Sequence, residues 1–115
     1  MTVTLFHNPR CSKSRATLAL LQERGIEPDI RLYLEDPPDA AELGRLLDLL
    51  GLAPRALMRT GEQAYRDQGL ADPGLSDAQL IAAMAATPKL IERPIVLANG
   101  KAALGRPPES VLEIL

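Results

Sequence analysis

The 115-residue sequence holds one cysteine, one histidine and no tryptophan, and each scarcity removes a class of chemistry. One thiol cannot build a disulfide framework or a two-cysteine redox centre within the chain, and one cysteine with one histidine cannot make a Cys/His zinc site, so no metal is expected. Two tyrosines, one phenylalanine and a formal net charge of −2 argue against nucleic-acid binding through basic patches and stacking aromatics. No stretch approaches the roughly 18 apolar residues of a membrane span, and no basic leader precedes a hydrophobic run. No membrane partner is therefore expected, and the chain reads as cytoplasmic, where its lone thiol stays reduced at rest.

What is present suits one soluble domain, 1–115, with 46% hydrophobic and 24% charged residues. A domain of this size buries roughly two thirds of the surface its unfolded chain exposes, enough to dispense with staples. Lys13, Lys89 and Lys101 are the only lysines among 13 basic residues, and the other ten are arginine. Guanidinium matches tetrahedral oxyanions in a bidentate way that ammonium does not, although biased nucleotide composition produces the same excess.

The hydrophobic pattern predicts a strand over 2–7, a helix from Ser12 to Arg24 stopped by Gly25, and a second strand over 29–34. One helix between two strands is a βαβ crossover with parallel strands. Asp39 with Glu42 predicts a capping box for a helix presenting Leu43, Leu46, Leu47 and Leu50 and ending at Gly51. Pro54 opens a short helix expected to contain Arg55, Leu57, Met58 and Arg59. Short pieces and turns follow over 60–75, then a helix capped by Ser76 and Gln79 with Leu80, Ile81 and Met84 inward. Residues 94–104 form a hairpin about Asn99-Gly100, and Pro107 and Pro108 open a last helix from Glu109. A βαβ unit joined to a ββα unit is an α/β fold of the thioredoxin-like kind, a four-stranded mixed sheet with flanking helices and a helical insertion at about 36–90.

Cys11 falls at the first strand-to-helix junction. Free N–H groups and the helix dipole stabilise a thiolate there, below the free value of about 8.5. Arg10, Lys13 and Arg15 add local positive charge, and His7 adds a hydrogen bond or a charge. The same N–H groups can hold a tetrahedral anion. Spacing alone leaves a buried, inert cysteine beside a solvated basic turn equally open. A phosphatase-type loop needs a longer span than the three residues between Cys11 and Arg15, and a dithiol oxidoreductase needs cysteine where Ser14 stands. An oxidised Cys11 therefore has to be resolved by a thiol from another molecule.

The segment H-N-P-R-C-S-K-S-R, the L-M-R before Thr60, the E-R-P-I-V-L block and the late G-R-P-P-E together resemble the glutaredoxin-dependent arsenate reductase family, in particular its short, arsenate-reductase-like bacterial branch. The resemblance runs in order along essentially the whole chain. It implies a thioredoxin-like fold with Cys11 as catalytic cysteine and His7 as the histidine that favours its thiolate. It also implies Arg59, Arg93 and Arg106 as the oxyanion-binding arginines, and a cis peptide before Pro94. The implied reaction begins with thiolate attack on arsenate; glutathione, a co-substrate rather than a bound cofactor, enters the adduct, and glutaredoxin takes the mixed disulfide as arsenite leaves. Two departures stand out: the chain stops at Leu115 without the longer tail of some reductases, and Arg10-Cys11-Ser12-Lys13 is more basic than the corresponding loop of the better-known members.

From the residues alone the arginines also have plainer readings. Arg59, four residues after Arg55, sits as a solvated surface residue on a helix, whereas Arg93 and Arg106 each precede a proline, which biases them to extended backbone in loops where binding residues concentrate. Two other functions fit the same fold. One is a monothiol exchange protein acting on glutathionylated partners without arsenate activity. The other is a regulator similar to the Spx proteins, which bind RNA polymerase and commonly carry a two-cysteine switch absent here.

Overall fold

A computed structural model describes residues 2–115. Val3 and Leu5 alternate with threonines along β1 (Val3–Phe6), and the chain then turns into α1 (Ser12–Glu23). Gly25, at φ +74°, takes the left-handed conformation that ends this helix. β2 (Asp29–Arg31) pairs parallel to β1, as a crossover through one helix requires. After the helical segment, β3 (Ile95–Ala98) runs antiparallel to β1, and β4 (Lys101–Leu104) antiparallel to β3, giving the order β2-β1-β3-β4. Asn99 and Gly100 both hold positive φ, 55° and 70°, which a two-residue hairpin turn demands.

One face of the sheet carries Val3, Leu5, Val96 and Ala98, closed by Leu21 of α1 and Val111 of a terminal 3-10 helix (Pro108–Ile114). Each such buried aliphatic side chain stabilises the fold by roughly 1.5–3 kcal/mol, or less for alanine.

The chain divides into two compact units, Met1–Asp36 with Arg93–Leu115, and Pro37–Glu92. The first holds the sheet, α1 and the terminal 3-10 helix. The second lies between β2 and β3 in sequence and is helical. Its α2 (Ala40–Leu50) starts with a capping box in which Glu42 N–H donates to Asp39 Oδ1 at 2.8 Å, and it ends at Gly51 with φ 68°. After α3 (Gln63–Asp67), Ser76 and Gln79 cap α4 (Asp77–Ala86) in the same reciprocal way. α2 packs against α4, with Leu43, Leu46, Leu47, Leu80 and Met84 buried.

Three expectations about elements need correction. β2 stops at Arg31 instead of running to residue 34, because Glu35 and Asp36 both donate their N–H to Leu32 O in a turn, and Arg31 Nε donates to Asp36 O at 3.0 Å. The segment after Pro54 is a 3-10 helix over Pro54–Leu57 only. Met58 leaves it to form a β-bridge with Ile91, flanked by Arg59 N–H to Leu90 O and Glu92 N–H to Leu57 O, both 2.7 Å, so Arg59 is not helical. The last helix is 3-10 rather than α, and it begins at Pro108.

Candidate active site

Strand register decides which distant residues meet. Phe6 pairs with Ile95 and Ile95 with Leu104, so the C-terminal end of β1, the start of β3 and the end of β4 share one end of the sheet. His7 through Cys11 follow β1 there, Arg93 stands two residues before Ile95, and Arg106 two residues after Leu104. Both arginines precede cis peptides, Arg93-Pro94 and Arg106-Pro107; the second was not anticipated from the sequence.

The turn from β1 into α1 is closely bonded. Cys11 N–H donates to Asn8 O at 3.0 Å, Arg10 N–H to Asn8 Oδ1 at 3.0 Å, and Arg15 Nη1 to Pro9 O at 2.9 Å. This leaves Cys11 as the N-cap of α1 in an extended conformation (φ −92°, ψ 124°), with no acidic residue in the first turn to oppose a negative charge. The sulfur is buried, at 7% residue exposure.

Burial alone pushes the Cys11 pKa up. Against it act the Ser14 backbone amide, the Arg93 guanidinium, the Lys13 amide and the Arg106 guanidinium, and together they bring it below the ordinary thiol value. Arg106 Nη2 lies 3.9 Å from Sγ while its Nε donates to Arg93 O at 2.7 Å, so one arginine is anchored on the backbone of the other. Nucleophile, amides and two guanidiniums thus converge at the opening of α1, an arrangement that can hold a tetrahedral oxyanion against a thiolate.

His7 is buried at 6% exposure, and its Nδ1 lies 2.6 Å from Ser14 Oγ. Burial, and then the charge of Arg15, lower its pKa, so the imidazole is neutral at neutral pH and has no charge to lend the sulfur. Arg59 belongs to the Pro37–Glu92 unit, where its guanidinium pairs with the carboxylates of Glu62 and Glu92. Among the described residues no group of three metal-ligating side chains occurs.

Three residues at the site were not singled out for it from the sequence. Ser14 and Thr17 are fully buried polar residues on the inner side of α1; their serine and threonine identity on a face otherwise expected to be apolar was the available signal. Gly105 donates its N–H to Pro94 O at 2.9 Å, and a Cβ there would lie 2.5 Å from Thr17 Oγ1 and 2.6 Å from Pro94 Cγ. Nothing in the local sequence distinguishes that glycine from an ordinary strand end.

Known proteins resemble this chain along nearly its whole length. The ArsC family model matches residues 6–114. An uncharacterized Escherichia coli K12 protein, YfgD, is 60% identical over 98% of this chain and 96% of its own length. An arsenate reductase of Neisseria meningitidis serogroup A is 52% identical over 98% of this chain and 97% of its own. The structure of an arsenate reductase from Vibrio cholerae superposes with a TM-score of 0.98 at 58% identity, covering 100% of this chain and 98% of that one. With a family match over nearly its whole length and relatives this similar from end to end, the chain belongs to the ArsC family.

Proposed function

We propose that this protein reduces arsenate to arsenite through a Cys11 thiolate, with glutathione and glutaredoxin supplying the remaining thiols. The observation that carries the reading is the convergence on one buried sulfur of the α1 amides with Arg93 and Arg106. A lowered thiol pKa supplies the nucleophile at neutral pH, and the guanidiniums offset the charge of an anion that the thiolate would otherwise repel. His7 completes the set by ordering the turn that carries the sulfur.

The thiolate attacks arsenic, and an arsenate oxygen leaves as water after protonation. Glutathione then adds its sulfur, and Cys11 and glutathione together give up two electrons. Arsenic falls from the +5 to the +3 state and departs as arsenite, leaving a Cys11–glutathione mixed disulfide. With no second cysteine in the chain, that disulfide is cleared by a glutaredoxin thiolate, which takes the glutathionyl group and returns Cys11 as thiolate.

The test is arsenite formation in the presence of glutathione and glutaredoxin. Wild-type protein is expected to turn over and Cys11→Ser to be inactive; full activity in that variant would overturn the assignment. Mass spectrometry after oxidised glutathione, with and without arsenate, separates this reading from simple monothiol exchange, which forms the mixed disulfide and ignores arsenate.

A further inference from the structure

His7 and Ser14 are both buried, and their side chains meet with 2.6 Å between Nδ1 and Oγ. Ser14 Oγ also accepts the Asn8 N–H at 3.0 Å. One hydroxyl thereby ties the end of β1, the turn and the first turn of α1 together. Asn8 O in turn accepts the Cys11 N–H at 3.0 Å, so the tie reaches the residue that bears the sulfur.

We propose that Ser14 is a positioning residue through which His7 acts on Cys11: the imidazole holds the Ser14 hydroxyl, the hydroxyl holds the Asn8 N–H, and the Asn8 carbonyl holds the N–H of Cys11. This rests on Cys11 being the reactive thiol and deepens that reading.

Proton accounting supports it. Ser14 Oγ uses one lone pair on the Asn8 N–H, so its own proton needs an acceptor, and Nδ1 of a neutral imidazole provides one. The imidazole proton then sits on Nε2. Protonating His7 would place a hydrogen on Nδ1, reverse the contact and strip the hydroxyl proton of that acceptor, a cost that adds to burial and to the facing Arg15. The charged groups facing Cys11 are Arg93 and Arg106. Neither belongs to the His7–Ser14 pair, so the pair can be perturbed while those charges stay in place.

The experiment is a pH profile of Cys11 alkylation by iodoacetamide for wild type, His7→Ala, Ser14→Ala and the double variant. Each single change is expected to raise the midpoint by roughly half a pH unit, slowing alkylation at neutral pH about threefold, and the double variant to do no more than the larger single change. Additive shifts, or an unmoved Ser14→Ala profile, would overturn the proposal. Should Ser14→Ala not fold, nitrogen-15 NMR of the wild-type histidine decides: a neutral ring protonated on Nε2 supports the proposal, and an Nδ1–H tautomer or an imidazolium at pH 7 overturns it. Loss of arsenate turnover with the thiol coupling intact would count against the arsenate reading alone.

Discussion

Gly105 has no space for a side chain. The Thr17 hydroxyl that an added Cβ would meet is held by its bond to Lys13 O at 2.9 Å, and the other neighbour is the ring of Pro94. Neither is the loose end of a flexible side chain. Gly105→Ala is therefore expected to destabilise the protein by about 1–3 kcal/mol, the usual cost of overpacking, read as a lower denaturant midpoint. Because Arg106 is the next residue and bonds to Arg93 O, the same change should shift the guanidinium and raise the KM for arsenate. A purely global defect would lower the midpoint and leave KM unchanged. The G-R-P-P-E segment announces the arginine through resemblance, but the requirement for glycine comes from contacts with residues 11 and 88 positions away in sequence, which no local pattern records.

At the scale of elements, those whose signals are local were legible. The two capping boxes, the Asn99-Gly100 turn and the α1 stop at Gly25 each rest on residues a few positions apart, and each forms as expected. Elements decided by tertiary pairing were not. The helical expectation for Met58 and Arg59 fails because the Met58–Ile91 bridge supplies backbone hydrogen bonds from the far end of the segment. That bridge has a consequence for Arg59, since it sets the arginine beside Glu92 while Glu62 reaches it from three residues on. Arg59 thus has two carboxylate partners, one local and one brought by the bridge. Glu62→Gln is expected to lower stability by up to about 1 kcal/mol through loss of its ion pair with Arg59, read as a lower denaturant midpoint. An unchanged midpoint would mean that the pair contributes nothing measurable to the fold.

At the scale of the whole molecule, the placement of His7, Cys11, Arg93 and Arg106 at one end of the sheet follows from the register β2-β1-β3-β4 and not from any single motif. The same site then shapes stability against pH. His7 has a folded-state pKa below its usual 6.5, so on acidification the unfolded chain takes up a proton that the folded one resists. Stability falls as pH drops below about 6.5 and stops falling on this account once the folded-state value is passed. Cys11 also has a lowered pKa when folded, so between that value and the ordinary thiol value the folded chain has released a proton that the unfolded chain retains. Stability rises with pH across that window. The two slopes share a sign in separate ranges and can be told apart by urea unfolding at a series of pH values. His7→Gln should flatten the acid limb while lowering stability throughout by loss of the Ser14 contact, and Cys11→Ser should flatten only the alkaline limb. An acid limb equally steep without His7 would place the proton uptake on the carboxylates instead.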